Sequence, residues 1–191
     1  MYGKIIAIDP GDIESGYVLV THNGQEITKI IDKGKIKNED MYTVLYNHAT
    51  YYSEDKNTVM ATDLAIEMIA SYGMPVGKTV FDTCVWIGRF AEYTEGAAEK
   101  KLGIIGKEPK EVNYTKYIYR RDEKMNICGT MKAKDANIRQ ALIDRYAPNT
   151  PNSGKGTAKE PGFFYGFKAD IWQAFAVAVT YFDMYVKGDT K

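Results

Sequence analysis

Ile5-Ile6-Ala7-Ile8-Asp9-Pro10-Gly11 is the stretch of sequence on which the fold depends. Four apolar residues in a row, three of them β-branched, predict a short buried strand, and the Pro-Gly pair predicts a turn directly after it. Asp9 therefore stands at the carboxyl end of a buried strand. In α/β proteins this is the edge of the sheet at which ligands bind.

The rest of the chain predicts a mixed sheet with helices on its faces. Strands are predicted at residues 15–21, 26–36, 64–70 and 111–114, and the first three strands of the chain form an antiparallel meander joined by tight turns. Helices are predicted at residues 41–52, 76–101, 115–122, 134–146 and 169–186, and a flexible loop at residues 149–162. We therefore expect an α/β fold with a five-stranded mixed sheet, in a single domain over residues 1–191.

Length and composition suit a soluble globular protein. A chain of 191 residues can bury a sizeable core, and its apolar runs are too short to span a bilayer. No basic-then-apolar leader opens the sequence, so we expect a cytoplasmic protein. Cys84 and Cys128 lack the spacing of metal ligands, and we expect both to be buried free thiols.

Charge is unevenly distributed along the chain, although the formal net charge is zero. Residues 1–67 hold 6 Lys/Arg and 11 Asp/Glu, whereas residues 100–145 hold 12 Lys/Arg and 6 Asp/Glu. The zero balance argues against strong indiscriminate binding to nucleic acid. The uneven distribution fits a metal site beside a phosphate-binding surface, and equally an ordinary mixed surface.

Three carboxylates are the candidates for chemistry. Glu67 lies inside an apolar strand, where a lone carboxylate costs roughly several kcal/mol unless it is paired or binds a cation. Asp9 is also explained as a turn residue, and Asp170 as an acid favoured at a helix N-terminus. Together the three fit a hard-cation site with oxygen ligands. Magnesium is the expected ion, and a pair of ions would promote in-line displacement at a phosphodiester.

Four short blocks, in order along the chain, resemble a known family. They are Asp9-Pro10-Gly11 after its strand, Ala65-Ile66-Glu67, the glycine-and-lysine segment at residues 129–143, and Lys168-Ala169-Asp170 opening the last helix. This pattern resembles the RuvC-type Holliday junction resolvases of the retroviral-integrase/ribonuclease H superfamily. The aromatic-rich insertions look like those of bacteriophage members.

The resemblance implies a homodimeric endonuclease that nicks symmetric strands of a four-way DNA junction. It assigns Asp9, Glu67 and Asp170 as catalytic ligands of one or two Mg²⁺ or Mn²⁺ ions. The family has a fourth acid three residues after the third, where this chain has Gln173. Gln173 can coordinate through its carbonyl oxygen but brings no charge, so water or another acid, Asp12 or Asp135, could take that position.

The resemblance also implies residues that contact DNA. Lys134 is the predicted basic residue beside the reacting phosphate, with Asp135 as the alternative occupant of that position. Lys132, Arg120 and Arg121 are predicted contacts to backbone phosphates, and a solvated basic face is the alternative. Tyr72 is predicted to stack on an unstacked base, and equally to cap the core.

Oligomeric state and competing functions follow from the same comparison. The long helix predicted at residues 76–101 would form the dimer contact, with Trp86 and Phe90 either in the contact or in the core.

The competing functions are a branched-DNA-binding protein of the same fold that cuts weakly or not at all, and another ribonuclease H-like nuclease that acts on RNA or flapped DNA. An actin-like ATPase needs two domains around a cleft, for which 191 residues are too few.

Overall fold

A computed structural model of the protein describes residues 3–53, 58–71, 73, 75–104 and 115–187. Its strands are β1 (Gly3–Asp9), β2 (Glu14–His22), β3 (Ile27–Lys37), β4 (Thr50–Tyr52), β5 (Val59–Ala61), β6 (Asp63–Met68) and β7 (Lys116–Tyr119). Five of them form the central sheet in the order β3-β2-β1-β6-β7. The pairs β1–β2 and β2–β3 are antiparallel, whereas β1–β6 and β6–β7 are parallel. The predicted mixed five-stranded sheet is confirmed.

Helices cover both faces of this sheet. They are α1 (Asn38–His48), α2 (Lys78–Ile104), α3 (Arg120–Cys128), α4 (Asp135–Tyr146) and α5 (Ala169–Tyr181), and α5 continues into a π-helical turn at Phe182–Val186. Helices α1 and α2 pack on one face, and α4 and α5 contribute to the core on the other. None of the helices in the described residues is long and apolar enough to cross a bilayer.

Alternation along the strands divides the core in two. Ile6 and Ile8 of β1 belong to the cluster under α1 and α2, whereas Ile5 and Ala7 belong to the cluster under α5. Because successive residues of a strand point to opposite faces, Asp9 continues the row that faces α5. The sheet therefore presents the first candidate carboxylate on the side of the last helix.

Two predicted helices are wrong in part. The helix predicted at residues 41–52 ends at His48, because Thr50–Tyr52 pairs as β4 with β5. The helix predicted at residues 115–122 is strand β7 as far as Tyr119, and α3 begins at Arg120. Parallel pairing with β6 buries Ile118 of β7 and provides hydrogen-bond partners for its backbone. The strand predicted at residues 111–114 lies outside the described residues.

The predicted burial of the cysteines is wrong for Cys84. Cys84 on α2 is exposed and Cys128 on α3 is half-buried, both as free thiols. Thr83 and Thr94 are buried instead, because their hydroxyls donate to the carbonyls of Thr79 and Phe90, each at 2.8 Å. A threonine satisfied by its own helix can face a core at little cost.

The loop at residues 149–162 is held by its own backbone. Gly154 N donates to Thr150 O at 3.2 Å, and Gly162 N donates to Lys155 O at 2.9 Å. Gly154 has a φ of 79°, and a β-carbon there would lie 2.7 Å from the ring of Phe164, which is fully buried. The predicted loop is present, and it packs on the core beside the start of α5.

Candidate active site

Asp9 and Glu67 lie side by side at the carboxyl ends of two parallel strands. Ile8 of β1 is in register with Ile66 of β6, so the next residue of each strand is one of the two acids. Both acids face the α5 side, because Ala7 and Ala65 just before Ile8 and Ile66 belong to the core cluster on that side. Their carboxyl groups are hydrogen-bonded to each other.

The surroundings of the Asp9–Glu67 pair favour binding of a proton. Burial, followed by the nearby charge of Glu67, the hydrogen bond to Glu67 and the charge of Asp170, raises the pKa of Asp9 to about 8. Burial also raises the pKa of Glu67, although the positive charge of Arg120 and the hydrogen bond from Asp9 lower it in part. Asp9 therefore donates to the Glu67 carboxylate. Two neighbouring carboxylates repel each other unless a proton or a cation lies between them. A divalent metal ion could replace the proton, so these residues fit such an ion.

Asp170 is brought against this pair by a glycine. A β-carbon on Gly16 would lie 2.7 Å from the carbonyl oxygen of Asp170 and 2.9 Å from its Cβ, so the first turn of α5 rests directly on β2 at this position. Gly16 is the residue paired with Asp9 across β1–β2. The Asp170 carboxylate itself is held by Lys35, whose Nζ lies 2.7 Å from Oδ2. Lys35 is not among the site residues predicted from the sequence, because its approach to the site depends on its pairing with Gly16 across β2–β3.

The turn after Asp9 is fixed by a buried polar network. Gly11 N donates to Ser15 Oγ at 3.2 Å, and Ser15 Oγ donates to Asn38 Oδ1 at 2.7 Å. Asn38 Nδ2 donates back to the carbonyl oxygen of Gly11 at 3.0 Å. Asn38 is fully buried at the start of α1, so it ties this turn to the helix layer. The network holds Asp9 in place beside Glu67.

Arg120 enters the same site with two further acids. Its guanidinium forms ion pairs with Glu123, one turn later on α3, and with Asp135 at the start of α4. Glu123 is 0% exposed, and burial together with the charge of Glu67 raises its pKa, whereas the paired guanidinium of Arg120 lowers it in part. The sequence reasoning missed Glu123, because an acid in the first turn of a helix is ordinary on a solvated surface. Arg120 had been predicted as a contact to the DNA backbone, and the structure pairs it with carboxylates in the site.

These groups line a cleft of about 270 Å³. Its walls are Asp9, Pro10, Glu67, Met68, Ile69, Ala70 and Arg120. Among the described residues, no three His, Cys, Asp or Glu side chains come close enough together to hold one ion. The acids are instead divided between a protonated pair and two basic side chains, Arg120 and Lys35.

The other predicted site residues lie around this cleft or outside the described part. Lys134 is exposed just before α4, and its backbone N donates to Asn137 Oδ1 at 2.9 Å. Lys132 is exposed, and so is Arg121, which pairs with Asp122 at 3.3 Å. Gln173 lies one turn after Asp170 and is half-buried. Tyr72 lies outside the described residues.

The two aromatic residues predicted for the long helix have different environments. Phe90 is fully buried in the core, whereas Trp86 is half-buried and stacks on it with ring centroids 5.6 Å apart. The Arg89 guanidinium lies 4.9 Å from the Trp86 ring centroid. The outward side of α2 instead exposes Phe81 and Val85.

Solved structures of one protein are similar in fold to this chain over nearly its whole length. "T. thermophilus RuvC in complex with Holliday junction substrate" has a TM-score of 0.56 and 13% sequence identity, over 98% of this chain and 97% of that chain. "Thermus thermophilus RuvC structure" has a TM-score of 0.54 and 13% identity, over 96% of this chain and 97% of that chain. The chain has a RuvC-like fold. No protein-family model matches the sequence, and no curated protein matches it significantly.

Proposed function

We propose that the protein is a metal-dependent endonuclease that cuts branched DNA and resolves four-way junctions by paired nicks. The observation that carries this proposal is the pair Asp9 and Glu67 at the carboxyl edge of a RuvC-like sheet, with the start of α5, which carries Asp170, packed beside it. The similar structure with a Holliday junction substrate supports branched DNA as the substrate class. The chain shares only its fold with that structure, so the support for the chemistry is the site itself.

Asp9, Glu67 and Asp170 would hold Mg²⁺ or Mn²⁺. When bound, such an ion activates a water molecule and stabilises the oxygen that leaves the phosphodiester. The chain itself must release the proton shared by Asp9 and Glu67 and loosen the Asp170–Lys35 ion pair. Lys35 then remains as a positive charge beside the site.

Basic residues on the α3 and α4 side would bind the phosphates. Arg120 lines the cleft with the acids, so it is the cation placed nearest to a phosphate bound there. Lys134 stands beside Asp135, the ion-pair partner of Arg120, and would contact the next phosphate. The exposed Lys132 and Arg121 would contact the DNA backbone farther out, and Tyr72 remains the candidate for stacking on a base.

Paired nicking requires two sites, and we propose that a homodimer supplies them. The outward face of α2 carries Phe81, which is 60% exposed, and Val85 one turn later. Exposed apolar side chains at helical spacing are suited to contact with the same face of a second copy around a two-fold axis. The dimer would direct two clefts at opposed strands of one junction.

The substitution Asp9→Asn tests the proposal. We expect it to reduce cutting of a labelled four-way junction in Mg²⁺ by at least about a thousandfold while leaving junction binding intact or tighter. The reason is that it removes a metal ligand and a negative charge but no basic residue. Asp144→Asn is the matched control, because Asp144 is exposed on α4 and bonded only to Gln140 among the described residues. Full cutting by the Asp9→Asn protein would refute the site.

A protein that binds junctions without cutting them is the second candidate. It is favoured by the neutral Gln173 and by the Lys35 ion pair, which both weaken the metal site on the α5 side. Wild-type protein that binds a four-way junction tightly but cuts it in neither Mg²⁺ nor Mn²⁺ would support this candidate. Flapped DNA and RNA–DNA hybrids in the same assay test the remaining alternative, a nuclease with another substrate.

A further inference from the structure

Only some of the five acidic side chains of the site form an ion pair with a basic side chain. Arg120 pairs with Glu123 and Asp135, and Lys35 pairs with Asp170. The remaining two, Asp9 and Glu67, are bonded to each other. Three of the five carboxylates therefore already have a positive partner supplied by the chain, and one pair does not.

Arg120 is fixed where it stands. Glu123 is fully buried, and its Oε1 has no hydrogen-bond partner in the described part of the chain. Its other oxygen accepts from Arg120 Nη1. A buried carboxylate requires a nearby positive charge, so Glu123 on α3 holds the Arg120 guanidinium at the site. Asp135 at the start of α4 holds the same guanidinium from a second helix.

The position of Arg120 is that of a cation inside the site and not of a surface side chain. Its side chain is only 22% exposed, and it lines the cleft with Asp9 and Glu67. Its charge acts on both of those acids. The two ion pairs engage Nη1 and Nη2, and a guanidinium has five N–H donors, so further donors remain for a phosphate oxygen.

We infer that Arg120 is a built-in cation that takes the place of a second divalent ion, so that the chain works with one ion per site, held by Asp9 and Glu67. This inference rests on the proposed function and specifies its metal requirement. Glu123 and Asp135 act as positioning residues for Arg120, and they do not ligate the metal. Asp170 on α5 would be a further ligand for this ion if its ion pair with Lys35 were released.

Counting bound Mn²⁺ tests the inference without measuring activity. Electron paramagnetic resonance and calorimetry should find one ion per wild-type chain. Arg120→Gln removes the guanidinium and exposes Glu123 and Asp135 to metal, and the count should double to two. Arg121→Gln is the matched control, because Arg121 is the next residue, is exposed and pairs with Asp122. Its count should remain one.

A second variant covers the case in which Arg120→Gln fails to fold. In Arg120→Gln with Glu123→Gln, the buried charge is removed together with its partner, and two amides can bond to each other. The count should again be two, because four acids remain with no guanidinium among them. Two ions on the wild-type chain, or one on the folded Arg120 variants, would overturn the inference.

The two failures are distinguishable. Two ions on a wild-type protein that cuts junctions contradict the built-in cation and leave the nuclease intact. No bound Mn²⁺ and no cutting of any branched DNA contradict the proposed function, and the inference with it.

Discussion

At the scale of single residues, the shared proton of Asp9 and Glu67 makes stability depend on pH. Asp9 has a pKa of about 8 in the folded chain, against an ordinary value of 3.8. The folded state therefore binds a proton that the unfolded state releases, so the free energy of unfolding falls as pH rises between these values. The slope for one proton is at most about 1.4 kcal/mol per pH unit.

Denaturation of metal-free wild-type and Asp9→Asn protein at pH 5 and pH 8 checks this expectation. Between pH 5 and pH 8, the free energy of unfolding should fall more in the wild type than in the variant. Burial lowers the pKa of His22 to about 4, which makes stability rise with pH instead. Both proteins contain His22, so its contribution cancels when their changes are compared. Mg²⁺ should restore stability at pH 8 in the wild type alone, because the ion replaces the proton. Equal pH slopes in the two proteins would contradict a shared proton.

Gly16 is the residue that allows the last helix to reach the site. Gly16→Ala would place a β-carbon 2.7 Å from a backbone oxygen of Asp170, so the start of α5 must shift. We expect a loss of about 1–3 kcal/mol in the free energy of unfolding and about a hundredfold loss of cutting. Gly34→Ala on β3 is the control, since its nearest neighbour is a side-chain carbon of Tyr17 at 3.0 Å. Equal cutting by the two variants would show that Asp170 tolerates the shift.

At the scale of elements, Arg120 joins α3 to α4 through Asp135 and pairs with the buried Glu123 of its own helix. Arg120→Ala leaves the Glu123 carboxylate buried without its partner, and we expect a loss of about 3–5 kcal/mol in the free energy of unfolding. Adding Glu123→Leu should recover more than half of that loss, because no buried charge then remains. Chemical denaturation of the two variants measures the difference.

Arg121→Ala is the control for this pair, and a change within about 0.5 kcal/mol is expected for such an exposed position. A double variant that is no more stable than Arg120→Ala would mean that the guanidinium is held by Asp135 alone.

The elements also separate what the sequence predicts from what it does not. The strands that carry Asp9 and Glu67 are predictable, because a short continuous apolar run is a local signal, and the Pro-Gly turn that follows Asp9 is another. Arg120 and Glu123 carry the same local pattern as a solvated first turn. Their burial depends on how α3 packs against α5 and β7, and no window of sequence contains that information. The burial predicted for Cys84 is wrong for a related reason, since the threonine next to it, Thr83, takes the buried position of that turn of α2.

At the scale of the whole molecule, the uneven charge along the sequence corresponds to a basic surface on α3 and α4. Residues 115–146 carry 8 Lys/Arg and 4 Asp/Glu, and two of those acids, Glu123 and Asp135, are used within the site to hold Arg120. The surface of α3 and α4 is therefore more basic than the composition indicates. A chain with zero net charge can in this way bind a polyanion at one place and still avoid indiscriminate binding.

The proposed dimer of two clefts depends on the outward face of α2. Phe81→Glu places a charge in the proposed dimer contact, and we expect the mass in solution to fall from about twice 21.5 kDa to 21.5 kDa. Mn²⁺ binding should be unchanged, since the cleft lies elsewhere, whereas paired nicking of a junction should give way to slow independent nicks. Light scattering and a cruciform plasmid assay measure the two effects. Ile104→Glu is the control, because Ile104 is 75% exposed at the opposite end of the same helix. If both variants remain dimeric and make paired nicks, the dimer contact lies on another face. If the wild type is a monomer that nonetheless makes paired nicks, paired nicking does not require two sites in a dimer.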